Sequence, residues 1–284
     1  MDIQQIVREV MKEMEHNSPV ENDSSSVTQN YEEKHFTYPI EKEVTVDHPV
    51  NKSSIEQVQS LTPARIGIGR TGTRMKTKNY LDFRVDHAAA QDAVFKDVED
   101  RVLESMDLPI LYSKAKTMQE YLMNLDVGRK LNEESVKWLK SQTGKGKQVQ
   151  IIVSDGLSST GIEETIPDLL PALKQGLDSK GITMGKPVFI KKSRVWIQDE
   201  VASIVDCDVV ISLIGERPGL ATSKSISAYI IYRPTKESVE ADRTVFSNIH
   251  EGGVPPVEAG AYLSDVIEEM LHHKASGVKF SQIK

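Results

Sequence analysis

The sequence holds one cysteine, Cys207, in 284 residues. That excludes an internal disulfide and any cysteine-rich metal site, and it suits a reducing compartment. Long hydrophobic runs are missing too. None approaches the roughly 18 apolar residues of a membrane helix, so no membrane partner is expected. No secretory signal is visible, because the N-terminal segment is amphipathic and carries Asp2, Glu9 and Glu13. A basic excess is also absent. The net charge is −7, and residues 1–62 hold 5 Lys/Arg against 12 Asp/Glu, so the remainder is balanced at 30 of each. A broad nucleic-acid footprint is therefore not supported. Catalytic signatures are lacking as well. There is no GxSxG elbow, no HExxH and no P-loop lysine motif. The seven histidines are scattered, and only His272 and His273 are adjacent. As helical neighbours these two point about 100° apart and would not easily share a metal. Such a chain reads as a binding subunit more than a complete enzyme.

Residues 2–15 form the first pattern that is present. Ile3, Ile6, Val7, Val10, Met11 and Met14 fall on one helical face, and Asn17-Ser18-Pro19 stops the run. A helix of about 14 residues is marginal alone, so its apolar face needs a partner, as a docking or targeting peptide does. Residues 17 to about 60, rich in Ser, Asn, Glu and Lys, read as a flexible linker. Gly67, Gly69 and Gly72 imitate a phosphate loop. However, Thr73 replaces the last fingerprint glycine and no proper strand precedes them. Arg65, Arg70 and Arg74 are better read as contacts in an assembly. Residues 77–141 read as helical, with one stripe of Tyr80, Leu81, Val85, Ala88 and Ala89. Val98, Val102 and Leu103 make a second, and Val136, Trp138 and Leu139 a third. His87 on the first of these helices reads as a packed or surface residue. The segments 1–61, 62–146 and 147–284 are thus expected as a tail with its helix, a helical subdomain and an α/β domain.

From about residue 148 the texture is α/β. Strands are expected at Val149–Val153, Pro187–Ile190, Cys207–Ile214 and Ser227–Arg233, with helices over 162–179, from Ile197 and over 257–273. The expected fold is a Rossmann-like, mainly parallel sheet with helices on both faces, preceded by the helical subdomain and an extended N-terminal tail. Ligands bind such sheets outside the carboxyl ends of the strands. Right-handed crossovers bring the turns SDGLSS (154–159) and GERPG (215–219) to that edge, and Glu216 with them. A solvated Glu216 paired with Arg217 is the plainer alternative. The polar stretch 241–256 reads as a long functional loop. Within it His250 and Glu251 imitate an acid/base pair, but packing on a partner is the favoured reading.

Five blocks, ARIGIGRTGTR, DFRVDHAAAQDAV, VSDGLSS, LIGERPGL and VEADRTVFSNIHEGG, occur in this order. Together they resemble the small (light) chain of ethanolamine ammonia-lyase. The resemblance implies a larger chain that holds ethanolamine, with adenosylcobalamin lying between the two chains. It implies a radical route to acetaldehyde and ammonia, in which the small chain cradles the lower part of the corrin and its nucleotide tail. The family's cobalamin contacts fall here on Val195, Glu216 and Val245. The last is often a cysteine in the family, so a thiol-specific contact is in doubt. DxHxxG, by which some cobalamin proteins offer histidine to cobalt, is absent, and the resemblance requires no protein metal ligand. The N-terminal helix resembles peptides that direct such enzymes into bacterial microcompartments, to shell or cargo. A nucleotide-binding regulatory module and a purely structural subunit are the alternatives.

Overall fold

The order of strands explains where a ligand can sit. The computed structural model describes residues 42–142 and 145–283, and the described residues belong to one unit, Lys42–Lys284. The expected helix over 2–15 lies outside them. Strands β4 (Val149–Ser154), β5 (Val188–Lys191) and β6 (Val209–Gly215) are parallel and lie in the order β5-β4-β6. Helix α6 (Ser159–Ser179) joins β4 to β5, and α7 (Ile197–Val205) joins β5 to β6. The chain leaves β4 toward one side of the sheet and returns to the other. The carboxyl ends of β4 and β6 therefore form a switch point, where crevices open in such sheets.

β6 is buried along its whole length, which explains a run that is apolar but for Ser212. Residues Val209, Ile211 and Leu213 enter one core with Ile166, Leu169 and Leu173 of α6 and Leu263 and Ile267 of α8 (Pro256–His273). Val210 enters a second core with Ile197 and Val201 of α7 and Leu139 of α5 (Glu133–Gln142). Helices thus cover both faces. Cys207 is buried at the edge of the second core, and burial pushes its thiol up to about 12.

Several elements differ from the sequence reading. Ile110–Tyr112, inside the segment read as helical, is a strand, β3, that pairs parallel with β5 at the sheet edge. Its three residues are too few to show a period. Ile226–Tyr232, β7, pairs antiparallel with β6. The connection 216–225 contains no helix, and a parallel partner needs a crossover of about a dozen residues or more. The stretch read as a loop contains β8, Thr244–Ile249, antiparallel to β7. β8 is an edge strand with an exposed face, so its polar residues do not oppose pairing. The whole sheet runs β3-β5-β4-β6-β7-β8.

Part of the segment read as linker is also ordered. Lys52–Leu61 is a helix, α1, because Asn51 caps it by accepting from Ser54 N at 3.0 Å and Gln59 anchors it by donating to Ile66 O at 2.7 Å. A short hairpin follows, β1 (Arg70–Thr71) with β2 (Arg74–Met75). Arg70 and Arg74 are exposed there, whereas Arg65 pairs with Asp86 of α2 (Thr77–Phe95). The first helical stripe is the reverse of the expectation. Tyr80, Leu81 and Val85 are exposed, and Ala93 is the residue α2 buries. The third stripe lies as read, with Leu139 buried; of the second, Val98 and Leu103 are buried, but Val98 precedes the helix Asp100–Ser105 and Val102 is half-buried. Asp100–Ser105 is α3 and Met118–Met123 is α4. Gly277–Ser281, α9, closes the fold. No helix among the described residues is long and apolar enough to cross a membrane.

Candidate functional site

The two turns at the switch point touch. Leu157 N donates to Gly215 O at 3.0 Å. Asp155, 1% exposed, sets the shape of the first turn. Its Oδ1 accepts from Lys192 N at 2.7 Å, Gly156 N at 2.9 Å and Ser154 Oγ at 3.2 Å, which fastens the carboxyl end of β4 to that of β5. Burial pushes this carboxyl up to about 6, against the Lys192 and Gly156 N–H groups and the Lys192 charge. A carboxyl whose folded pKa is raised binds its proton more tightly folded than unfolded. Its contribution to stability is full below the unfolded value and is lost as pH rises through about 6. Asp155→Asn removes that slope. Melting curves are expected to show the native protein losing ground to the Asn variant as pH rises from about 4 through 6; parallel curves would show that Asp155 does not titrate there.

The second turn presents Glu216, which is half-buried and not paired with Arg217. Its Oε2 accepts from Ser225 Oγ at 2.7 Å, and its Oε1 accepts from Ser227 Oγ and from Asn248 N at 3.1 Å. Burial alone would raise its pKa, but the Ser227 and Ser225 hydroxyls and the Asn248 N–H outweigh it and hold the carboxyl below its ordinary value. One face of β7 and β8 continues from this carboxylate. Ser227 Oγ lies 2.9 Å from Ser247 Oγ, and Tyr229 stands opposite Val245 in the strand register. Val245 is 47% exposed. Side chains alternate along a strand, so Ser212 of β6, opposite Tyr229, shares this face. Ser212 is 2% exposed, and its Oγ has no hydrogen-bond partner among the described residues.

Val195 borders the same face. It lies half-buried in the turn before α7, where its carbonyl accepts from Gln198 N at 3.2 Å. The Gln198 side chain donates to Tyr229 O at 2.7 Å. The structure therefore links the three residues named from the sequence, through Gln198 and Tyr229 on one side and Ser227 and Asn248 on the other. Sequence reasoning missed Ser212, Ser227, Tyr229 and Ser247. The alternation S-x-S-x-Y over 225–229 carried that signal, but only with the pairing of β7 known. His250 is engaged elsewhere than with Glu251. Its Nε2 lies 2.9 Å from Asn248 Oδ1, and Gly252 N donates to its Nδ1 at 3.1 Å. His87 stacks near Phe83, with ring centres 6.3 Å apart. Among the described residues, no group of three or more His, Cys, Asp or Glu is placed to hold a metal ion.

At the switch point, this α/β sheet with helices on both faces carries a patch in which one half-buried carboxylate, held by the buried hydroxyls of Ser225 and Ser227, lies beside the exposed residues Val245 and Ser247. The patch offers acceptors, hydroxyls and a small apolar surface, and no nucleophile with a base beside it. Comparison with known proteins is more particular. A family model described as the ethanolamine ammonia-lyase light chain matches residues 52–281, and the chain belongs to that family. It is 49% identical to the ethanolamine ammonia-lyase small subunit of Clostridium tetani over 239 residues, 84% of this chain and 81% of that one. To the Listeria monocytogenes EGD-e small subunit it is 44% identical, with 84% and 82% covered. To the Fusobacterium nucleatum small subunit it is 42% identical over 286 residues, with 98% and 97% covered.

Proposed function

We propose that this chain is the small subunit of an adenosylcobalamin-dependent ethanolamine ammonia-lyase, active only with a large catalytic subunit. The pair converts ethanolamine to acetaldehyde and ammonia. The small chain holds the lower part of the cobalamin at Val195, Glu216 and Val245. The observation that carries this reading is the open patch itself. A corrin bears amide side chains that donate and accept hydrogen bonds around an apolar ring. Glu216 offers an ionised acceptor, Ser247 an exposed hydroxyl and Val245 an exposed apolar contact. These residues fit that group. When bound, the cofactor supplies radical chemistry; this chain's residues bind it, orient it and keep water from its lower side.

The order β5-β4-β6 supports a Rossmann-like reading of 147–284 as the cobalamin-binding domain, with 62–146 as a second, mostly helical region. The amphipathic pattern over 2–15 supports docking to the shell or cargo of a bacterial microcompartment in the cytoplasm.

A nucleotide module is the second reading, and one observation weighs against it. In dinucleotide folds the pyrophosphate sits at the first helix N-terminus. Here that position is filled by the chain's own segment 223–225. Ser158 Oγ caps α6 by accepting from Gly161 N at 2.9 Å and also donates to Ser223 O. A Cβ at Gly161 would lie 2.9 Å from Ser225 O.

The test is cobalamin absorbance with this chain alone, the large chain alone and the two mixed. Tight binding and ethanolamine-dependent ammonia release are expected only in the mixture. Both activities in the large chain alone would reduce this chain to a scaffold, and stabilisation of the isolated chain by NAD would favour the nucleotide reading.

A further inference from the structure

Arg243, the residue before β8, is almost wholly enclosed, with its side chain 2% exposed. A guanidinium is rarely buried without partners for its donors. Here Nη2 donates to Asp199 Oδ1 at 2.6 Å, Nη1 to Val239 O at 2.9 Å and Nε to Gln198 Oε1 at 3.3 Å. The guanidinium also lies 5.9 Å from the centre of the Trp196 ring, over which Arg129 sits at 4.5 Å. Gln198 and Asp199 occupy the first turn of α7, and Val195 precedes that turn. Val245 follows Arg243 by two residues on β8. The other side-chain group of Gln198 reaches Tyr229 O on β7. One fork therefore fixes the separation between the α7 turn and the edge strand.

We infer that Arg243 is a positioning residue for cobalamin. It holds Val195 and Val245 at the spacing the ligand spans, acting through Gln198 and Asp199 without touching the ligand. This rests on the cobalamin reading above. A lysine keeps the charge but presents a point donor in place of a fork, so it satisfies the three acceptors only in part. An apolar residue satisfies none.

The experiment uses the reconstituted two-chain enzyme with Arg243→Met, Arg243→Lys, Asp199→Asn and Glu216→Ala. Cyanocobalamin binding is titrated by absorbance. The KM for adenosylcobalamin and kcat at saturation are then measured. Arg243→Met is expected to weaken cyanocobalamin binding by about 10- to 100-fold, by analogy with the loss of metal affinity when the partners that orient metal ligands are removed. The KM should rise in parallel while kcat at saturation holds. Arg243→Lys should recover part of the affinity, and Trp196 emission should shift in the Met variant. A purely structural ion pair would instead lower the melting temperature and leave cyanocobalamin affinity alone. If Arg243→Met fails to assemble, Asp199→Asn decides by the same titration. Native affinity in the folded Arg243 and Asp199 variants, with Glu216→Ala weakened, overturns the positioning role and leaves the site reading standing. Native affinity in all four overturns the site reading itself.

Discussion

Gly215→Ala is expected to unfold the switch point and abolish cobalamin binding with it. A Cβ there would lie 2.2 Å from Asp155 O, 2.4 Å from Ser158 O and 2.8 Å from Ser158 N. All three are backbone atoms, so no rotamer change relieves the overlap. The opposing residue is constrained too. Gly156 has φ +54°, and a Cβ on it would come 2.5 Å from Gly215 O. Two backbones meet here with no side chain between them, and each fixes the other. Separating them breaks the bond from Leu157 N to Gly215 O and displaces Glu216, the next residue. Overpacking of this kind costs about 3 kcal/mol or more when the neighbours cannot move. Gly219→Ala in the same loop is the control. The atoms nearest its Cβ are 3.8 and 3.9 Å away, and its effect should stay within about 0.5 kcal/mol. Thermal and urea unfolding of both variants check this. A Gly215→Ala protein as stable as the Gly219→Ala protein would show that the turns at β4 and β6 do not constrain one another.

The residues that made this switch point legible were those buried on both sides. VQIIV at 149–153 and the run from Val209 read as strands because helices cover both faces of the sheet at those positions, so each run is apolar except for one buried polar residue, Gln150 and Ser212. Edges are less legible. Thr244–Ile249 runs through half-buried and exposed residues, with exposed Asn248 at φ +64°, before its one buried residue, Ile249. A strand that pairs on one side and is exposed on the other looks like a loop to periodicity alone. β3 was hidden by its length, and its pairing with β5 draws part of 62–146 into the sheet. α2 misled for another reason. Its apolar residues are spread around the helix, so Tyr80, Leu81 and Val85 suggested a buried face while the protein packs the other side. As for the candidate site, the place of Glu216 just past the carboxyl end of β6 was legible because a charged, glycine-flanked turn follows a buried strand. The naming of Val195 and Val245 came from resemblance, since nothing in the chemistry of a valine announces a ligand. Arg243 was illegible, because an arginine in a polar stretch carries no sign that folding will bury it.

Glu216→Ala is expected to weaken cobalamin binding by the assembled enzyme while leaving the chain folded. The carboxylate is held by Ser225 Oγ, Ser227 Oγ and Asn248 N. These donors border an open face, so water replaces the lost acceptor and the cost to folding stays near 1 kcal/mol. A ligand amide covering the same face excludes that water. Its hydrogen bond to a charged acceptor is then worth about 1.5 to 3 kcal/mol, roughly a tenfold to a hundredfold change in affinity. Glu216→Gln separates charge from hydrogen bonding. The serine hydroxyls rotate to suit an amide, but the Asn248 N–H still needs an oxygen, so the Gln variant should fall between parent and Ala. The pH dependence follows from the same contacts. The folded pKa is depressed below 4.5 because the serine hydroxyls and the Asn248 N–H outweigh burial. The stabilisation is therefore present above the unfolded value and is lost only as pH falls through the folded one. Affinity governed by Glu216 should be level from about pH 5.5 to 8 and fail in acid, and the Gln variant should lack that acid limb. A Glu216→Ala enzyme that binds cobalamin as tightly as the parent at pH 7 would move the ligand off this face altogether. A loss confined to folding would make the carboxylate a brace for the Ser225–Asn248 junction and nothing more.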